Sequence, residues 1–180
     1  MWFNGIYKGI ARIHKVITDN LTIFRDGRLV SNNYLNGKKS GVFIHLNNTP
    51  TVTCTAKDTY YPLGGTYDVP VLEDFLNDSA GKVKYNGSIA QHFEIDWHLT
   101  LSNDTANHTI SSGITVNGQF ITASKMSFQA KLSDQQYHIT GTAVIELQQG
   151  DEVEVVVASD TAGDILTINA MGNTYSEFFD

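Results

Sequence analysis

A single cysteine, Cys54, stands in the 180 residues, which excludes an intramolecular disulfide and a cysteine metal cluster. It sits between threonines in TVTCTA and reads as a small buried strand residue. Good helix formers are scarce. No apolar run approaches the roughly 20 residues that a membrane helix needs, so membrane insertion is not expected. The N-terminal stretch MWFNGIYKGIARIHKVITDN lacks the long apolar core of a signal peptide. Internal repeats, low-complexity tracts and flexible linkers are missing too. His92, His98, His108 and His138 show neither H-x-H nor H-x-x-H spacing, so they read as surface imidazoles and not as a zinc site. The stretch Gly37-Lys38-Lys39-Ser40 fails as a phosphate loop. Asn32 stands where a glycine is needed, and Lys39 where the motif requires Ser or Thr. No motif implies a cofactor.

What is abundant is Thr, Val, Ile, Tyr and Phe, a bias toward strands. A chain of this length buries a core without staples. Turn signals separate expected strands at about 51–57, 66–71, 83–86, 91–102, 108–117, 119–130, 136–148, 151–159 and 164–171. Asn117-Gly118 is the clearest hairpin turn, and Asp26-Gly27 marks another between LTIF and LV. Gly41–Leu46 reads as a short strand, and Ile10–Ile17 as a helical turn or two. Many short strands with no convincing helix mean an antiparallel all-β sandwich or barrel.

Charge divides the chain. Residues 1–56 carry seven Lys/Arg against two acids, and the remainder carries five against seventeen. The expected organisation is a basic anchoring segment over 1–54 and a folded body over 55–180. A basic arm docks on an acidic surface, while an acidic body avoids nucleic acid. The seven cations form no stripe, so nucleic acid is not the expected partner. Trp2, Phe3 and Tyr7 are costly to expose at a terminus. With Lys8 and Arg12 they are the candidate anchoring residues.

One segment alternates almost perfectly. Phe93, Ile95, Trp97, Leu99 and Leu101 fall on one face, and Glu94, Asp96, His98, Thr100 and Ser102 on the other. Burying each large apolar residue contributes roughly 1.5–3 kcal/mol, so the apolar face needs no functional explanation. With Tyr85 these five are the candidate core. Glu94 and Asp96 lie about 7 Å apart along the strand, near the spacing of a glycosidase pair. Such pairs sit in clefts on different elements, so the expectation is a solvated or subunit-facing surface and no catalytic residue. If this face lined a three-fold axis, three copies of each acid would converge, and an axial cation such as calcium near Glu94 and Asp96 is the alternative.

From about Thr55 the chain resembles a C1q/TNF-like jelly roll of the compact kind found in phage and virus structural proteins. TYYPLGGTYDVP is similar to the family's early small-residue turn and short strand. FLNDSAGKVKYNGSIAQHFEIDWHLTLSN resembles its run of aromatic, tyrosine and glycine, here Phe75, Tyr85 and Gly87, followed by Phe93, Ile95 and Leu101. NHTISSGITVNGQFITAS, GTAVIELQQGDEVEVVVAS with its Gly150-Asp151 turn, and ILTINAM follow in the family's order. The resemblance implies an antiparallel jelly-roll sandwich, a homotrimer about a three-fold axis, and binding in place of catalysis. Residues 1–50 lack a Gly-X-Y repeat, so a collagen-stalked secreted protein is not the expectation. The expected function is a virion structural protein, from a bacteriophage, made in the host cytoplasm and placed on the particle surface. It would be a head decoration, a fibre or a tail receptor-binding protein, held to capsid or tail proteins by the arm and facing host-surface glycans with its loops. The competing expectation is a carbohydrate- or receptor-binding jelly roll outside any virion.

Overall fold

The computed structural model describes residues 23–25, 28–30, 41–79 and 81–177. The chain divides into two units, Met1–Lys39 and Ser40–Asp180. In the first, β1 (Ile23–Arg25) and β2 (Arg28–Val30) pair antiparallel, with Ile23 opposite Val30. This is the hairpin read around Asp26-Gly27. The turn pair itself, the stretch Ile10–Ile17 and the anchoring candidates Trp2, Phe3, Tyr7, Lys8 and Arg12 lie outside the described residues.

The second unit is an antiparallel jelly-roll sandwich. Its first sheet runs in the order β13 (Gln136–Leu147), β9 (Gln91–Asn103), β15 (Ile165–Glu177), β3 (Gly41–Leu46) and β6 (Tyr67–Glu73), with β4 (Thr51–Thr53) also against β15. In its second, β11 (Gln119–Phe120) and β12 (Met126–Ala130) pair with one side of β10 (His108–Val116). Then come β14 (Glu152–Ser159), β8 (Lys82–Tyr85) and β7 (Phe75–Ser79), with β5 (Tyr61–Pro62) against β14. The sandwich thus takes in β3 and β4, which the sequence division at 54 and 55 assigns to the arm.

Period-two alternation explains the core. Phe93, Ile95, Trp97, Leu99 and Leu101 of β9 are buried, as is Tyr85 of β8. The β9 residues join Ile110, Ile114, Val153, Val155 and Val157 of the opposite sheet in one core cluster. Aromatic rings join the layers at one end. Phe75 of β7 lies 5.1 Å from Phe93 and 5.3 Å from Tyr175, and Tyr85 lies 5.1 Å from Phe93. Each such pair contributes about 0.5–1.5 kcal/mol beyond its burial. Gly87 has to be glycine here, because a Cβ would stand 2.1 Å from the Tyr85 phenol oxygen. That hydroxyl donates to the Ile89 carbonyl at 2.9 Å.

Three elements differ from the sequence reading, each for a local reason. The single strand expected over 119–130 is split by a 3₁₀ turn, Thr122–Ser124. The buried Ser124 hydroxyl donates to the Ile121 carbonyl at 2.7 Å and accepts the Ile114 amide at 2.8 Å, replacing a ladder bond of β10. The last strand runs on to Glu177 because a bulge between Ile168 and Ala170 changes its phase. Ile168 and Met171, three apart, both face the core. Between β6 and β7 the chain passes from one sheet to the other at Asp74, whose φ of 58° is left-handed.

Candidate functional site

The two sheets present different outward faces. In the second, the register sets Ser111 opposite Ala158 and Gly113 opposite Val156. Val156 and Ala158 are buried although they alternate away from the core. Tyr60 and Phe120 stack 3.6 Å apart on this side. The outward face of β13, β9 and β15 is different: apart from Val144 and Ile165 it carries mainly small, hydroxyl, amide, acidic and imidazole side chains.

The register of β13, β9 and β15 arranges this face in rows. Thr142, Asp96 and Thr174 form one row, and Thr140, His98 and Gly172 the next. Val144, Glu94 and Ser176 form a third. The Thr142 hydroxyl donates to Asp96 Oδ1 at 2.5 Å, and Thr100 Oγ1 lies 2.8 Å from His138 Nδ1. Glu94 and Asp96 therefore occupy different rows, and each neighbours small residues. No group of three or more acidic, imidazole or thiol side chains that could hold a metal occurs among the described residues. The pair shares one strand face of β9.

A concavity of about 440 Å³ opens on β13, β9 and β15. Asp96, His98, Thr140, Thr142 and Thr174 contribute to its wall, together with Trp97, Gly141, Asn173 and Met126. Trp97 and Asn173 are cross-strand neighbours and are only 2% and 1% exposed. Yet the Trp97 indole N–H and the Asn173 carbonyl oxygen have no hydrogen-bond partner. The Asn173 amide donates to the Tyr175 hydroxyl at 3.3 Å. Gly141, opposite Trp97, is needed because a Cβ there would lie 2.2 Å from the indole ring.

A second polar cluster closes the far end of the sandwich, and the sequence reading missed it. Asp164 is buried and accepts from Ser159 Oγ at 2.5 Å, Asn103 Nδ2 at 3.1 Å and His108 Nδ1 at 2.9 Å. A carboxylate only accepts, so Nδ1 of His108 carries the proton. The His108 side chain is 24% exposed, so it departs from the surface imidazole expected of it. A hydroxyl nucleophile needs the imidazole between itself and the carboxylate. Here the carboxylate lies between, and Ser159 is buried, so the cluster ties strand ends together. Cys54 lies beside it, fully buried, and its thiol pKa is pushed up by burial and by the charges of Asp164 and Asp104, against a backbone hydrogen bond from Ser159. The signal for this cluster was the lone Asp at the end of TAGD, which sequence spacing could not connect to residue 108.

Elsewhere, burial raises the Glu154 carboxyl pKa despite the opposing charge of Lys82. Tyr67 is pushed up to about 12 by burial and by Glu154, and burial also raises the Tyr175 phenol.

Solved structures share this architecture. Eiger TNF from S. frugiperda matches with a TM-score of 0.51 at 12% identity, over 79% of this chain and 94% of that one. Murine APRIL at pH 5.0 matches with a TM-score of 0.52 at 11% identity, over 77% and 99%. The globular domain of the zebrafish complement 1qA protein matches with a TM-score of 0.44 at 15% identity, over 75% and 95%. No protein-family model and no curated protein matches the sequence. The first two likenesses define the class: the second unit has a C1q/TNF-like jelly-roll fold.

Proposed function

We propose that the chain is a non-catalytic binding module that associates with copies of itself, as a homotrimer, through its β-sandwich. The observation that carries this is the edge of β13. That strand is twelve residues long and, among the described strands, pairs only with β9. A long edge of unpaired N–H and C=O groups is a template for another chain, and proteins cover such edges. Val144 on this strand is 48% exposed, an apolar residue suited to contact. The jelly-roll fold supports the same reading, since trimers about a three-fold axis are what the resemblance implies.

Within that class we read the protein as a phage virion component, a head decoration, fibre or tail receptor-binding protein on the particle surface. What supports this is the charge division: a basic leading segment suited to docking on capsid or tail proteins precedes an acidic jelly roll. The second reading, a free carbohydrate- or receptor-binding module, draws on the same fold and needs no particle. Light scattering on the full chain and on residues 40–180 tests the association. The expected result is a trimer for both, weakened by Val144→Lys. A monomer in both overturns the reading. A monomeric sugar binder that needs no leading segment would favour the second one.

A further inference from the structure

We propose, resting on the self-association read above, that copies of this chain meet through the outward face of β13, β9, β15, β3 and β6, and that protons on its imidazoles strengthen the contact. The histidines are not spread evenly over the molecule. Of the six in the chain, His92 and His98 of β9, His138 of β13 and His45 of β3 stand on this one face. Period two places them there. Phe93, Trp97, Leu99, Ile139 and Ile44, next to them in sequence, are all buried on the core side.

The same face carries Glu94 and Asp96 of β9, Glu146 of β13 and Asp68 of β6. From β15 it takes Thr167, Gly172, Thr174 and Ser176, none of them charged. Among the described residues no Lys or Arg stands on it. Acid and imidazole are neighbours: Glu146 lies opposite His92, and His45 Nε2 is 3.3 Å from Asp68 Oδ2. One row, Thr140, His98, Gly172, His45 and Asp68, crosses all five strands. A Cβ on Gly172 would meet His98 Cε1 at 2.4 Å, so this imidazole leans over β15, on whose far side His45 stands. With neutral imidazoles the four carboxylates give the face a charge of −4, and four protons bring it to zero. Two copies of a −4 face repel, and carboxylates brought together there lack cations. Protonated, the face offers four cations among four anions and is complementary to itself. Between pH 8 and 5 imidazole is the side chain that changes charge, while carboxylates stay ionised. A second copy is the occupant this charge set fits. The face also runs without a break to the β13 edge and its exposed Val144, where association is already placed.

Sedimentation equilibrium on the full chain, from about pH 8 to about pH 5.5 at one fixed ionic strength, measures the concentration at which the assembly half dissociates. The expected midpoint is about tenfold lower at the acid end, equivalent to about 1.4 kcal/mol. Added salt at the alkaline end should lower it as well, because salt screens the repulsion. Replacing the four imidazoles together, by His45→Gln, His92→Gln, His98→Gln and His138→Gln, should remove the pH response. Glu94→Gln with Glu146→Gln should move the midpoint at about pH 8 toward its acid value. A trimer whose midpoint does not move with pH overturns this inference and leaves the self-association standing. A monomer at every pH overturns both. A midpoint that rises on acidification, or an acid response that survives in the fourfold variant, overturns the inference too.

Discussion

At the scale of single residues, space decides more than chemistry. Gly141 and Gly172 flank β9 on either side, at rows one apart, yet they are not equivalent. A methyl at 141 would meet the Trp97 ring at 2.2 Å, inside a packed core. One at 172 would meet the His98 ring at 2.4 Å, but that ring is exposed and free to swing aside. Overpacking a core costs about 1–3 kcal/mol; Gly172 is itself buried, but the ring its methyl would displace is exposed and lies at the end of its side chain. Gly141→Ala should therefore lower the denaturation midpoint by the larger amount and Gly172→Ala by the smaller, as urea unfolding of the two variants will measure. The sequence marked Trp97 as core from its alternation, but not its unpaired N–H. Period two says which side a residue faces and nothing of what its polar atom meets.

At the scale of elements, two turns are locked together. Asn117 adopts φ 52° before Gly118, as the hairpin reading required. Its Nδ2 donates to Asp151 Oδ1 at 2.8 Å, and its Oδ1 accepts the Glu152 amide at 3.0 Å. One side chain thus joins the β10–β11 turn to the Gly150-Asp151 turn. Asn117→Ala loses both bonds and places a Cβ in the left-handed region, so it should destabilise by roughly 1–3 kcal/mol. Asn117→Gly restores the backbone freedom but not the bonds, and should recover part of the loss in the same thermal melts. Elements were legible where alternation was unbroken, as in β9, β10 and β14. They were not legible where one residue changed the phase. The bulge near Asn169 hid the last six residues of β15, and the Ser124 hydroxyl hid the break before β12. The crossing at Asp74 carried no glycine or proline to announce it. Glu94, Asp96 and His98 share one side of β9, as their alternation implies. Its rows, and therefore the concavity, depend on register with strands more than forty residues away, such as Asp96 beside Thr142.

For the whole molecule, two phenols with raised pKa values make stability fall at alkaline pH. Tyr67 ionises in the fold only near pH 12, and burial holds Tyr175 above its ordinary value as well. In the unfolded chain both titrate near pH 10. The folded state therefore binds the phenolic protons more tightly, so stability is fully present below about pH 10 and declines as pH rises from there toward 12. Tyrosinate absorbance followed against pH should show these two phenols appearing together with loss of the fold. Their appearance at about pH 10 in a still-folded protein would contradict the burial that raises them.

The position of β3 has a practical consequence. It lies between β15 and β6, with Ile44 fully enclosed. A truncation made at the charge boundary would pull a plank from the middle of the floor: β6 would lose its neighbour, and β15 would gain a bare flank along residues 172–176. Such a fragment would precipitate or clump for reasons unrelated to the arm, so any shortened form has to begin ahead of Gly41.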